Sequence, residues 1–176
     1  MSLVPAPDAL ETDRLLLRPR RVAEAALYRR LWVERDPRVP AHRRIDADGR
    51  PSVADLALQL RAEQEASGPR LLAVERKGTW DVIGYCGLVP GGHGSPEEPE
   101  LAYELLRAVH GRGYATEAAR AVVTWASEAG YRRLWAGVRD WNVASRRVLD
   151  KLGFHETGRV ESDPVHGDSL LTVREA

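Results

Sequence analysis

A single cysteine, no surplus of charge and no long apolar run set the first limits on this chain. Cys86 alone rules out an intrachain disulfide and suits a reducing compartment. It lies in an apolar stretch, so a buried core thiol is expected rather than a reactive one. Lys and Arg total 26 and Asp and Glu total 26, so no global field draws in a polyanion, and a nucleic-acid partner is not expected. Near the N-terminus the longest purely apolar run is Leu15 to Leu17, with Asp8, Glu11, Asp13 and Arg14 around it. Neither a secretory signal nor a membrane-spanning helix can be drawn there, and the expected location is the cytoplasm, away from membranes.

Whole classes of chemistry are missing their motifs. No Gly-Lys-Ser/Thr follows the glycines at 111 and 113, the third glycine of a dinucleotide loop is absent, and no Gly-Xaa-Ser-Xaa-Gly elbow occurs. The histidines at 42, 93, 155 and 166 lack metal-ligand spacing, so no metal is expected. There is no internal repeat.

What is present reads as one globular domain, residues 1–176, since 43% apolar residues are enough for a packed core at this length. Residues 12–18 read as a strand, 22–35 as a helix stopped near Pro37, and 38–50 as a charged loop. Ser52 with Asp55 signals an N-cap for a helix running towards Gly68. Strands are expected at 70–75, 82–89 and 100–106, with a Gly/Pro-rich loop at 90–99. A helix at 115–129 ends at Gly130, a strand follows at 132–138, a helix at 142–152, and closing strands at 154–160 and 168–174. This order implies a mixed sheet with helices on its faces.

The most informative stretch is the apolar strand that runs through Leu101 to Leu106 into His110-Gly-Arg-Gly-Tyr-Ala115 and then a helix. A helix start offers free N–H groups and the positive dipole end, and glycines allow close approach of a phosphate. Arg112, with His110 or Arg107, adds charge. Alone, the two glycines fit a structural turn equally well. A second element, Asn142-Val-Ala-Ser145, places two hydrogen-bonding groups on one end of a helix whose other positions are aliphatic. Alone, it reads as a capped core helix.

Together the two elements resemble the GNAT acetyltransferases, in particular the branch that includes the ribosomal-protein alanine acetyltransferases. His110-Gly-Arg-Gly113-Tyr-Ala115, continued by Thr116-Glu-Ala118, matches the family loop Gln/Arg-Xaa-Xaa-Gly-Xaa-Gly/Ala, with His110 as a departure. Asn142, Ser145, Lys151, Gly153 and Phe154 match the later pattern, and Thr12 to Arg18 match the branch's opening. The resemblance implies an α/β (α+β) GNAT fold: a mixed, mostly antiparallel seven-stranded sheet, splayed between strands 4 and 5, with helices on both faces.

It implies acetyl-CoA as co-substrate, no metal, and a primary amine as acceptor, either a small molecule or a protein N-terminus, with the enzyme a monomer or homodimer. Pantetheine would meet the backbone around Leu105, Leu106 and Arg107. Its pyrophosphate would meet His110, Gly111, Arg112, Gly113, Tyr114, Ala115 and Thr116, while Asn142 would hold the pantetheine amide. Leu149 stands where some members carry a tyrosine that protonates the leaving thiolate, so Ser145 becomes the candidate donor. Glu104, which breaks an apolar strand, is the candidate base, and an exposed strand glutamate is the alternative. A larger acyl donor, or a CoA-binding sensor without turnover, are the competing readings.

Overall fold

A computed structural model describes residues 5–90, 93 and 95–175. The chain forms β1 (Leu10–Glu11), β2 (Leu15–Pro19), a 3-10 turn (Val22–Glu24) that runs into α1 (Ala25–Glu34), a second such turn (Ala41–Arg43) and α2 (Val53–Glu65). There follow β3 (Leu71–Arg76), β4 (Val82–Val89), β5 (Glu100–Leu105), a short 3-10 turn (Arg107–Val109), α3 (Tyr114–Glu128), β6 (Arg133–Arg139), α4 (Val143–Lys151), β7 (His155–Glu161) and β8 (Ser169–Glu175). Of the loop expected at 90–99, residues 91, 92 and 94 lie outside the described residues. No described helix is long and apolar enough to cross a membrane.

The order of elements follows the sequence reading, but the sheet has eight strands where seven were expected, in the order β1-β2-β3-β4-β5-β6-β8-β7. The extra strand, β1, lies just before the stretch read as a strand at 12–18. The Thr12 N–H donates to the Leu15 carbonyl at 2.9 Å, so Thr12 to Arg14 form a turn and Leu10 pairs back onto Leu17. All pairings are antiparallel except β5 with β6. Those two strands are joined by α3, the crossover a parallel pair requires.

Their pairing is a single bridge, Glu100 to Trp135. Beyond it β6 keeps its other edge on β8, from Arg133↔Glu175 to Arg139↔Ser169, and diverges from β5. This is the expected splay, which falls between β5 and β6 once the extra strand is numbered.

Strand alternation then sorts the layers. Glu104 faces α1, while Tyr103 faces α4 and meets Ser145. In α3 the buried positions are Ala118, Ala119, Val122, Val123 and Ala126, spaced to place one stripe on the sheet. In α2, the Asp55 N–H donates to Ser52 Oγ at 3.1 Å and the Ser52 N–H to the Asp55 carboxylate at 2.8 Å, the reciprocal cap that the sequence signals. Cys86 is fully buried, as expected, and burial pushes its thiol pKa up.

The approach of β4 to β5 depends on Gly84, whose φ is 154° and whose partner in register is Leu105. A Cβ there would collide with the Glu104 carbonyl and sit 2.8 Å from Leu105 Cα. Gly84→Ala is therefore expected to cost about 2–3 kcal/mol and to lower Tm by roughly 4–12 °C, read by thermal unfolding. A melting point within a degree of the parent would show that the strands separate freely.

Candidate active site

A cleft of about 450 Å³ opens where β5 and β6 part. Its walls include Tyr103, Glu104, Leu105, Arg107, His110, Gly111, Gly113, Tyr114, Ala115, Thr116, Asn142 and Ser145. Most of the residues singled out from the sequence are thus brought to one place. Leu106, Arg112 and Leu149 are not among the lining residues. Leu149 is 3% exposed and packs in the core, so its side chain does not reach the cleft from this position.

One end of the cleft is the glycine loop. Gly111 and Gly113 take φ of 72° and 79°, a conformation that costs a residue with a Cβ about 1–2 kcal/mol. Gly113 is the N-cap of α3, and no side chain caps the helix. The first intrahelical bond runs from the Glu117 N–H to the Gly113 carbonyl at 3.0 Å, so the N–H groups of Tyr114, Ala115 and Thr116 have no acceptor within the helix. Uncapped donors beside two bare Cα atoms suit a phosphate.

Main-chain groups along β5 are disposed differently from the expectation. The Leu106 N–H is spent on the Ile83 carbonyl at 2.9 Å, and the Arg107 N–H donates to the Glu34 carboxylate at 2.8 Å. That bond is the largest cause of the lowered Glu34 pKa. The Leu105 carbonyl lies 2.8 Å from His110 Nε2. Antiparallel register with β4 therefore directs the main-chain groups of Tyr103 and Leu105 into the cleft, and it turns Leu106 towards β4.

On the α4 wall, Asn142 caps the helix by accepting the Ser145 N–H at Oδ1, 3.2 Å away. Its amide nitrogen remains to hold a ligand carbonyl. Ser145 Oγ lies 2.8 Å from the Tyr103 hydroxyl, which is also 3.2 Å from the Ser145 carbonyl. Burial pushes the Tyr103 pKa up to about 12, so at neutral pH the phenol keeps its proton as a hydrogen-bond donor. When that proton points to Ser145 Oγ, the serine hydroxyl is free to donate into the cleft.

Glu104, the expected base, is engaged on both oxygens. Arg35 Nε donates to Oε1 at 2.9 Å, a terminal Arg35 nitrogen to Oε2 at 2.7 Å, and the Tyr85 hydroxyl to Oε2 at 2.8 Å. Burial pushes the Tyr85 pKa up, so it too stays a donor. Arg35 also stacks on Trp32, 3.9 Å from the ring centroid.

Glu100, on the same β5 face but not among the residues lining the cleft, was not singled out from the sequence. Its Oε1 accepts the Gly137 N–H at 2.9 Å and its Oε2 the His93 N–H at 3.3 Å. No cation pairs with it among the described residues. The period of two that puts Glu100, Ala102 and Glu104 on one face was the available signal. Nothing in the sequence announced Arg35, Tyr85 or the Tyr103–Ser145 contact.

The family described as an acetyltransferase (GNAT) domain matches residues 14–155. An acetyltransferase from Agrobacterium tumefaciens str. C58 is 26% identical and superimposes with a TM-score of 0.73 over 100% of this chain and 99% of that one. RimJ from Mycobacterium smegmatis, in complex with CoA-disulfide, is 25% identical with a TM-score of 0.75 over 97% of this chain and 88% of its own. The uncharacterised protein YkkB of Bacillus subtilis is 34% identical over 93 residues, 52% of this chain and 54% of YkkB. The chain spans about half the length of two of the curated relatives it matches.

The Arg35–Glu104 pair has side chains only 10% and 21% exposed, so removing one partner strands a charge. Arg35→Met is expected to destabilise by about 3 kcal/mol, and Arg35→Met with Glu104→Gln to recover part of that loss because no charge remains. Thermal unfolding of the four proteins in a double-mutant cycle reads the coupling. Strictly additive losses would mean the two groups do not share one interaction.

Proposed function

The chain belongs to the GNAT acetyltransferase family, and from that premise we propose that it is an N-acetyltransferase. It carries acetyl from acetyl-CoA directly to a primary amine, on a small molecule or a protein N-terminus. One observation carries the reading: an uncapped glycine loop at a helix start and a Tyr103–Ser145 hydroxyl pair open onto the same cleft between parted strands. The likeness to a RimJ solved with a CoA disulfide supports CoA as the donor. The stretches at 12–18 and 116–118 support the ribosomal-protein alanine acetyltransferase branch.

Gly111 to Thr116 bind the pyrophosphate, the main-chain groups of Tyr103 and Leu105 align the pantetheine arm as an added strand would, and Asn142 takes an amide carbonyl. The acceptor arrives from the α1 face as an ammonium and must lose a proton before it attacks. Of the two carboxylates on that face, Glu100 has no cation competing for its charge among the described residues and accepts the proton through water. Glu104, held by Arg35 and Tyr85, shapes the acceptor wall instead. As the C–N bond forms and the C–S bond breaks, Ser145 donates a hydrogen bond to the departing sulfur, oriented by Tyr103.

Release of free thiol from acetyl-CoA across peptides, polyamines, aminoglycosides and arylamines tests the activity; no amine-dependent release with any of them would leave a CoA-binding domain without turnover. Glu100→Gln keeps an oxygen for the Gly137 N–H but accepts no proton. Its kcat is expected to fall about 10²-fold near neutral pH and to recover partly as pH rises and the amine deprotonates unaided. Glu104→Gln is expected to lose less. A larger, pH-dependent loss in Glu104→Gln would return the base to that residue.

Ser145→Ala is expected to lower kcat by roughly 10 to 10³ with CoA affinity changed only a few-fold, because a bond made to the leaving sulfur acts in the transition state. Tyr103→Phe should lose about tenfold in the parent and nothing further in the Ser145→Ala background. Steady-state kinetics with CoA affinity measured separately checks both. A rate loss explained wholly by weaker CoA binding would make Ser145 a binding residue only.

A further inference from the structure

The turn before β2 reaches across the fold to the glycine loop. Arg14 Nε donates to Glu117 Oε2 at 2.6 Å, and a terminal Arg14 nitrogen lies at the same distance from that oxygen. The Arg14 N–H and the Thr12 hydroxyl both donate to Glu117 Oε1, at 3.0 and 2.6 Å. The other terminal nitrogen of Arg14 donates to the Arg112 carbonyl at 3.0 Å, and the guanidinium lies 4.4 Å from the centroid of the Tyr114 ring. Behind Gly113 there is little room, since a Cβ there would stand 3.4 Å from the guanidinium.

We propose that Arg14 is a positioning residue for the phosphate of CoA, a latch that holds the glycine loop in its binding conformation. This rests on the reading that Gly111 to Thr116 bind the pyrophosphate. Two physical effects support the latch. In a trans peptide the carbonyl and the following N–H point in opposite directions. Binding the Arg112 carbonyl to Arg14 therefore turns the Gly113 N–H away from Arg14, towards the cleft that Gly113 lines.

The second effect is charge. Glu117 sits in the first turn of α3, where an ionised carboxylate would repel a phosphate. Burial alone would raise its pKa, but the Thr12 and Arg14 bonds outweigh burial and lower it, so Glu117 is ionised and Arg14 cancels its charge. Without Arg14, two glycines regain their freedom and the helical turn that offers its N–H groups to the anion carries an uncompensated carboxylate.

A surface ion pair that merely ties β2 to α3 would affect folding and not ligand, and the experiment separates the two. CoA affinity is measured by titration calorimetry for the parent, Arg14→Ala, Arg14→Lys, Thr12→Val and Gly113→Val, and turnover is measured with acetyl-CoA and with S-acetylpantetheine, which lacks the pyrophosphate. Arg14→Ala is expected to weaken CoA binding tenfold or more. Its kcat at saturating acetyl-CoA and its KM for S-acetylpantetheine should each stay within about twofold of the parent.

Arg14→Lys keeps the charge but cannot bond Glu117 and Arg112 together as a fork, so it recovers only part of the affinity. It carries the test with Thr12→Val if Arg14→Ala does not fold. A folded Arg14 variant with parental CoA affinity would overturn the latch, as would an equal loss with S-acetylpantetheine. A parent that binds no CoA, or a folded Gly113→Val that binds it normally, would instead overturn the loop reading and the latch with it.

Discussion

The cleft exists because β5 and β6 stop pairing after one bridge. Two strands that part inside a sheet leave main-chain donors and acceptors facing each other across a gap, and such groups are costly when buried without partners. Here side chains and turns satisfy some of them. Glu100 takes the Gly137 N–H in place of a neighbouring strand, His110 meets the Leu105 carbonyl, and Glu34 holds the Arg107 N–H just past the end of β5. The groups of Tyr103 and Leu105 that still face the gap are then available to an extended ligand. The crossover from β5 to β6 brings the start of α3 to the open end of that gap, so a strand-like slot and an uncapped helix start are products of one topological choice.

Charge on the helix-covered face of the sheet is largely spent internally. Arg18 is nearly buried and pairs with Glu24 and Glu75 at 2.6 Å, Arg20 pairs with Glu63, and Arg35 pairs with Glu104 at 2.7 Å. Pairs of this kind contribute little net stability against well-packed apolar alternatives, but they are unforgiving of register, because a shifted partner leaves a desolvated charge. They place α1 and its C-terminal arginine over β5. One consequence is local: a guanidinium and a phenol engage both oxygens of Glu104, while the carboxylate four residues earlier on the same face accepts only backbone N–H groups among the described residues.

The same pattern holds at the other end of the cleft, where the first turn of α3 carries an acid that an arginine from the N-terminal turn neutralises. Site and scaffold are not separate layers in this protein. The residues that would touch a ligand are held by groups that touch only each other.

Signals with a short reach were legible in the sequence. The glycines at 111 and 113, the Asn142 cap, the Ser52–Asp55 box, the buried stripe of α3 and the buried Cys86 all depend on neighbours within about one helical turn or on a simple period, so residue order alone determines them. The order of the major elements followed, except that Thr12 to Arg14 turn where a continuous strand was expected, since a turn and a strand of this composition differ only by what they bond to. The side-chain pairs around the cleft and its glycine loop lie far apart in the chain: Tyr103 with Ser145 at a separation of 42 residues, Arg35 with Glu104 at 69, and Arg14 with Glu117 at 103. Other arrangements of these side chains would satisfy the same local patterns equally well. Strand register and helix placement select one, because a one-residue slip turns each side chain to the opposite face of the sheet, and so only the tertiary structure decided which carboxylate meets a guanidinium, which meets backbone N–H groups, and which hydroxyl meets Ser145.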